Sequence, residues 1–254
     1  MTQKIIDHFY RARQEGKKLL AVLIDPDTPD SEQLDRLAQN VENGGADVIF
    51  LGGSLLTKDA LEACIIRLKE MTSVPIILFP GSALQISSEA DAILFLSLIS
   101  GRNPELLIGT HVISAPYIKQ AKLEAMSTGY MLVDSGRPTT ASYMSNSHPI
   151  PYNKPEIAAC TAMAGEMLGM KLMYLDGGSG ADRPVSEEMI ATVRKSVETP
   201  LIVGGGIRTA EKAHSIAKAG ADIIVVGNAT EEEPSLIQEI AQAIHYATKP
   251  ADIG

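Results

Sequence analysis

"PLIVGGGIRT", residues 200–209, runs from an apolar segment straight into three consecutive glycines, and "IIVVGNAT", residues 223–230, repeats the device one unit later. Glycine contributes no packing and costs conformational entropy, so such a run marks backbone that must bend sharply or let another group approach closely. The group that best fits is a phosphate. Two successive apolar strands that end in bare amides match the loops after strands seven and eight of a parallel α/β barrel, where phosphate is commonly held.

Working outward from this pair, further runs rich in Val, Ile and Leu occur at "LLAVLID", "DVIFLGG", "PIILFPG", "AILFLSL", "YMLVDSG" and "LMYLDGG", which brings the strands to eight. Most are followed by a segment with helical spacing, the pattern of a buried parallel sheet. Helices are predicted over 31–43, 58–71, 104–126, 155–168, 186–197, 210–219 and 234–246. The expected fold is α/β, a single TIM (β/α)8-type barrel in one domain spanning 1–254, a length that such barrels routinely reach. One outer helix is missing. Only the ten residues "SALQISSEAD", 82–91, separate the third and fourth strands, too few for a helix and its two turns. The gap exposes part of an apolar wall, to be filled by a long apolar ligand or covered by a short turn or a second subunit, with Leu84, Ile86 and Leu96 as candidates for its lining. A long polar connection after the fifth strand, "SGRPTTASYMSNSHPIPYNKP", lies on the side where barrel sites are built and reads as a lid or a rigid surface loop.

Hydrophobic residues make up 45% and charged residues 21% of the 254, and the net charge is −9, so no global field favours nucleic acid or an anionic membrane. Anions must be held locally, by amides, a few cations or a metal. The start of the chain lacks the apolar core of a secretory signal and no run is long enough to span a bilayer, which leads to a cytoplasmic expectation. Cys64 and Cys160 have no metal-ligand spacing and read as core thiols.

The predicted strand ends supply the chemistry. Gly205, Gly206, Gly227 and Asn228 offer amides to a phosphate. Arg208 adds a cation there or forms a surface salt bridge. "LIDPDTPD" ends the first strand in Asp25, a hard oxygen ligand suited to Mg²⁺, whereas Asp27, Thr28 and Asp30 read as caps of the next helix. "FLGGSLLT" places Ser54 opposite, as a metal ligand or a helix cap. "MYLDGGSGA" joins Tyr174 and Asp176, two residues apart and so on one side of the strand, to Ser179 and Gly180. Asp176 can take a proton from an alcohol, orient a substrate hydroxyl or bind metal. No nucleophile elbow, histidine pair or reactive cysteine stands out.

Together "LIDPD", "FLGGS", "ILFPGS", "GRPTTASYMSNSHPIP", "YLDGGSGA", "GGGIRT" and "VVGNA" resemble the geranylgeranylglyceryl phosphate synthase family, in its longer-chain group of archaea and some bacteria. The resemblance spans nearly the whole chain. It implies a Mg²⁺-dependent prenyltransferase that joins sn-glycerol 1-phosphate to an all-trans prenyl diphosphate and makes the first ether bond of an archaeal-type lipid. By motif match, Asp25 and Ser54 bind the metal, while Tyr174, Leu175, Asp176, Gly177, Gly178, Ser179, Gly180, Gly205, Gly206, Gly227 and Asn228 surround glycerol phosphate. The family usually has Glu where this chain has Asp176, which keeps a carboxylate but shortens its reach. A homo-oligomer is also expected. The rival readings are a phosphosugar isomerase or lyase on the same barrel, a non-catalytic phosphometabolite-binding protein and, weaker, a flavin enzyme.

Overall fold

A computed structural model describes residues 4–247; residues 1–3 and 248–254, part of the expected single domain, lie outside the described residues. The chain begins with α1 (Lys4–Gln14), β1 (Leu19–Ile24), α2 (Ser31–Gly44), β2 (Val48–Leu51), α3 (Leu61–Met71) and β3 (Ile76–Leu78). It continues through β4 (Ala92–Leu98), a π-helical turn at Glu105–Gly109, α4 (Thr110–Ala121), β5 (Glu124–Leu132), α5 (Thr140–Ser145) and α6 (Pro155–Met167). The last third holds β6 (Leu172–Asp176), α7 (Glu187–Ser196), β7 (Leu201–Gly204), α8 (Ala210–Ala219), β8 (Ile223–Val226), α9 (Asn228–Glu232) and α10 (Leu236–His245). The eight strands pair in parallel and in chain order, and β1 closes on β8.

Alternation along each strand divides the apolar side chains into two layers. Ala21, Val48, Phe50, Ile77, Leu94, Ile202 and Ile223 fill the barrel interior, whereas Ile49, Leu78, Ile93, Leu175 and Val203 pack beneath the outer helices. The amino end is closed by α1. Its spacing puts Ile6, Phe9 and Ala12 on one face, and all three join the interior layer. Glu124 fixes this plug by accepting the amides of Ile5 and Ile6 at 3.0 and 2.9 Å, which satisfies donors that a helix start leaves open.

The structure corrects several sequence expectations. The helix predicted over 104–126 is a π turn followed by α4, which stops at Ala121 because Lys122 turns left-handed at φ 59°. The fifth strand then starts at Glu124, six residues before the quoted "YMLVDSG". Helices α1, α5 and α9 were not anticipated. Cys64 is buried as expected, its thiol pushed up to about 12 by burial and the charge of Asp25, but Cys160 is exposed on α6. Between β3 and β4 there is no helix.

Around the barrel's lower edge, Asp47 accepts the amide of Leu20 at 2.7 Å and meets Nε2 of His245 at 3.0 Å, tying α10 to the start of the sheet. The carboxylate raises the pKa of His245 above its ordinary value, against a smaller opposing effect of burial. A raised folded-state pKa contributes stability that is fully present below the unfolded value and is lost as pH rises through the folded one. Exposed pairs of this kind contribute ~0.2–1 kcal/mol. Urea melts of the wild type should therefore lose up to that amount between pH 5.5 and 8.5 relative to His245→Gln; parallel curves for the two proteins would exclude the contribution.

Candidate active site

The carboxyl rim opens into a cavity of about 400 Å³ that continues past the missing helix to the outer face of β4. Its upper end is made of loops that touch backbone to backbone. Gly205 has φ 86°, and a Cβ there would lie 2.7 Å from the amide nitrogen of Gly178; Gly206 has φ 72°, and its Cβ would lie 2.9 Å from the carbonyl carbon of Arg183. Both the left-handed backbone and the space exclude other residues. Ser179 donates its hydroxyl to Oδ1 of Asn228 at 3.0 Å, linking the loop after β6 to the one after β8.

The strand-six carboxylate sits just below. Asp176 is 6% exposed; its Oδ1 accepts the amide of Gly178 at 2.7 Å and its Oδ2 accepts the hydroxyl of Tyr130 at 2.5 Å. Burial pushes the Asp176 carboxyl up, while the Tyr130 and Gly178 hydrogen bonds pull it down. Tyr130 is aligned with Tyr174 across the β5–β6 ladder, two residues short of the pair Leu132 and Asp176, so its phenol reaches along the strand to the carboxylate. Phe79 stacks on Tyr174 at 5.3 Å and meets Tyr130 edge-on at 5.8 Å, completing a three-ring wall.

A second group gathers on the β1 side. Asp25 turns Oδ1 back onto the amide of Asp27 at 2.9 Å, leaving Oδ2 beside Gly53, where a Cβ would come within 2.8 Å. Burial raises the Asp25 carboxyl pKa, the Asp27 amide lowers it, and the charge of Asp27 raises it further. Ser54 caps no helix, since α3 begins only at Leu61 after Ala60. Of the residues read as caps, Asp30 forms a capping box with Gln33, whereas Asp27 is a clasp: its carboxylate takes the amides of Thr57 and Lys58 and so holds the loop carrying Ser54 against the loop carrying Asp25. One free carboxylate oxygen, a hydroxyl and carbonyls beside a bare glycine suit a small hard cation that draws its remaining ligands from water and phosphate. No cluster of three or more His, Cys, Asp or Glu side chains suited to a metal exists among the described residues.

Of the residues singled out in the sequence, Asp25, Ser54, Tyr174, Asp176, Gly178, Ser179, Gly180, Gly205, Gly206, Gly227 and Asn228 all line this cavity. Leu175 and Gly177 do not. Strand alternation turns Leu175 outward into the layer under the helices, and Gly177 spends its amide on the carbonyl of Gly204 at 3.0 Å. Arg208 makes no salt bridge among the described residues; it donates to the carbonyl of Ala181 at 3.3 Å and is the one Lys or Arg lining the cavity there. Three carboxylates line the same cavity: Asp25, Asp176 and Glu231. Tyr130, Phe79 and Glu231 were missed in the sequence, because each acts through a contact with a distant strand or loop.

The lower arm of the cavity is apolar. Ile86, Ile93, Phe95, Leu106 and Ile118 line it between the strand-linking segment and α4. Ile86 thus lies where the sequence placed it, whereas Leu96 packs against the interior layer, as Phe79 and Tyr130 do, and lines the cavity from inside the barrel; Leu84 is 91% exposed and points away. Gln85 is buried instead: it donates to the carbonyl of Gly53 at 2.9 Å and accepts the amide of Gly81 at 3.1 Å, stitching the helix-free segment to the loop beside Asp25. From the lid connection, Thr140, Ala141, Met144 and Ser145 of α5 reach the same cavity.

The glycine-rich rim, the buried carboxylate and the apolar arm share one cavity at the carboxyl end of a (β/α)8-type barrel. The chain matches the PcrB family over residues 13–244 and belongs to it. It is 55% identical to a geranylgeranylglyceryl phosphate synthase of Chitinophaga pinensis, over 97% of this chain and 98% of that one, and 54% identical to the one of Spirosoma linguale, over 90% and 92%. A crystal structure of (S)-3-O-geranylgeranylglyceryl phosphate synthase from Thermoplasma acidophilum in complex with sn-glycerol-1-phosphate superposes with a TM-score of 0.90 at 33% identity, covering 95% of this chain and 98% of that one.

The hydrogen bond from Tyr130 lowers the pKa of Asp176, so its loss must raise it. In Tyr130→Phe, carboxyl NMR of Asp176 should show titration at higher pH than in the wild type. An unchanged midpoint would remove Tyr130 from the control of this carboxylate.

Proposed function

We propose that this chain is a prenyltransferase that joins the C3 hydroxyl of sn-glycerol 1-phosphate to an all-trans prenyl diphosphate of geranylgeranyl type, with Mg²⁺ as cofactor. One observation carries the reading: the glycine cradle, Asp176 and the Asp25–Ser54 pair open into one cavity that continues as an apolar arm. The relatives' names and the bound glycerol phosphate of the Thermoplasma protein support the same chemistry.

Each part then has a task. Amides of Gly205, Gly206, Gly227 and Asn228 hold the phosphate monoester, and Arg208 adds the cation of that end. Asp176 stands next to Gly178 of the same loop, and each of its oxygens, already accepting one hydrogen bond, keeps a further acceptor site for a substrate hydroxyl. It orients the hydroxyl and takes its proton while the new C–O bond forms. The allylic C–O bond of the donor breaks, and diphosphate leaves. Asp25 and Ser54 would hold Mg²⁺, which when bound supplies charge neutralisation for the departing diphosphate. Phe79, Tyr130 and Tyr174 keep water from the allylic carbon, which gains positive charge as the bond lengthens, and their ring faces favour that charge. The tail lies in the arm lined by Ile86 and Phe95. An exposed apolar strip on and before α4, with Ile108, Val112, Ile113 and Tyr117, supports self-association.

Purified protein with Mg²⁺, labelled sn-glycerol 1-phosphate and a panel of prenyl diphosphates should yield organic-extractable phosphate. Turnover of a sugar phosphate without a prenyl donor would favour the isomerase reading, and binding without product the non-catalytic one. Asp25→Asn should lower turnover at least ~100-fold with the fold intact, since an amide offers no anionic oxygen; near-normal rates with unchanged Mg²⁺ dependence would reject the assignment.

The apolar arm makes its own demand. Each methylene buried there contributes up to about 0.8 kcal/mol, so affinity should climb with donor length until the arm ends. Ile86→Trp should penalise long donors more than short ones in the same series. Equal losses at all lengths, with folding checked by circular dichroism, would take the tail out of the arm.

A further inference from the structure

Glu231 is the lining carboxylate that the chemistry above leaves without a task. It belongs to α9, which begins at Asn228 directly after Gly227, so it rides on the turn that is read above as offering two phosphate-binding amides. Yet its Oε1 accepts the backbone amide of Asp25, at 3.1 Å and 206 positions away in the chain. One short element therefore touches both ends of the cavity.

The mechanical linkage is tight on both sides. The hydroxyl of Thr230, a fully buried residue, donates to the carbonyl of Gly227 at 2.8 Å, and Asn228 is held by Ser179 at 3.0 Å, so the loop and α9 move as one piece. On the other side, Asp25 has Oδ1 occupied by the Asp27 amide, which fixes the carboxylate relative to its own backbone. The backbone position of Asp25 then decides where the free Oδ2 lies, and Glu231 accepts the amide of that residue. No cation pairs with Glu231 among the described residues. A half-buried carboxylate without a countercharge is costly unless hydrogen bonds satisfy it, and among the described residues its one direct hydrogen-bond partner is the Asp25 amide.

We propose that Glu231 is a positioning residue that couples the two substrate sites: a phosphate monoester on the Gly227–Asn228 turn fixes α9 and, through the Glu231–Asp25 hydrogen bond, fixes Asp25 for magnesium diphosphate. The proposal rests on the reading of these two sites given above. Linkage makes the effect reciprocal, so each ligand must tighten the other by the same factor.

Calorimetry on the full chain measures this without turnover. sn-Glycerol 1-phosphate is titrated with and without Mg²⁺ and inorganic pyrophosphate, and magnesium pyrophosphate with and without sn-glycerol 1-phosphate. In the wild type the second ligand should bind at least about fivefold more tightly than alone, by equal factors in both directions. Glu231→Ala should bring that factor to about one while sn-glycerol 1-phosphate alone binds within about threefold of wild type and the melting temperature is kept. Glu231→Gln retains an acceptor oxygen and should retain most of the factor. A factor of one in the wild type, a wild-type factor in Glu231→Ala, or a glutamine variant as uncoupled as the alanine one would each overturn the proposal. A wild-type chain that binds neither ligand removes the functional reading itself, and the coupling with it.

Discussion

Everything at the rim depends on how closely its loops approach one another. The turn after β7 presses against the turn after β6 at distances that leave no room for a Cβ at Gly205 or Gly206. The loops after β2 and β3 do the same on the other side, where a Cβ on Gly52 would sit 2.2 Å from the carbonyl oxygen of Phe79. Because backbone rather than side chain makes these contacts, the separation of the rim loops is fixed, and amides carried on them would need no reorganisation when charge arrives, the property that makes preorganised dipoles effective. The inner strands and the α1 plug supply the rigidity on which the approach is built.

The charges of the cavity are arranged around this frame. Asp25, Asp176 and Glu231 outnumber the single guanidinium of Arg208, an arrangement opposite to what two phosphate-bearing substrates would attract on their own. Under the function proposed above, backbone amides would meet one phosphate and an added cation the other. The carboxylates also differ in surroundings: Asp176 is held by a phenol and an amide, while Asp25 has one oxygen tied and the other beside bare glycine. On the proposed reading these surroundings assign proton handling to the first and the metal to the second.

The sequence made the barrel legible because buried parallel strands are continuous apolar runs, and all eight were identified from them. It also showed the missing helix, since ten residues cannot hold one. The motif residues at strand ends were readable because their positions follow from being last in a strand. Tyr130 was not, because its role comes from register between β5 and β6, and β5 was begun too late. Gln85, Asp27 and Glu231 escaped for a related reason: each is an ordinary polar residue until a distant loop supplies its partner. Leu84 shows the limit of reading a wall from composition, for the segment 82–91 has no regular period from which to tell its inside from its outside. Asp176, legible as a strand-end carboxylate, is anchored at the cavity wall by the hydrogen bonds of Tyr130 and Gly178, which only the fold reveals.

The absent third helix has a consequence for what stability means in this protein. In a complete barrel the outer face of β4 is covered by the protein's own side chains; here Ile86, Ile93 and Phe95 end at a furrow. A hydrocarbon guest would occupy the volume that a helix fills elsewhere, so its entry resembles the last stage of folding more than the docking of a ligand on a finished surface. It should carry the negative heat-capacity change of core formation. Heat resistance and hold on the tail become one property, since whatever binds only the folded chain also stabilises it.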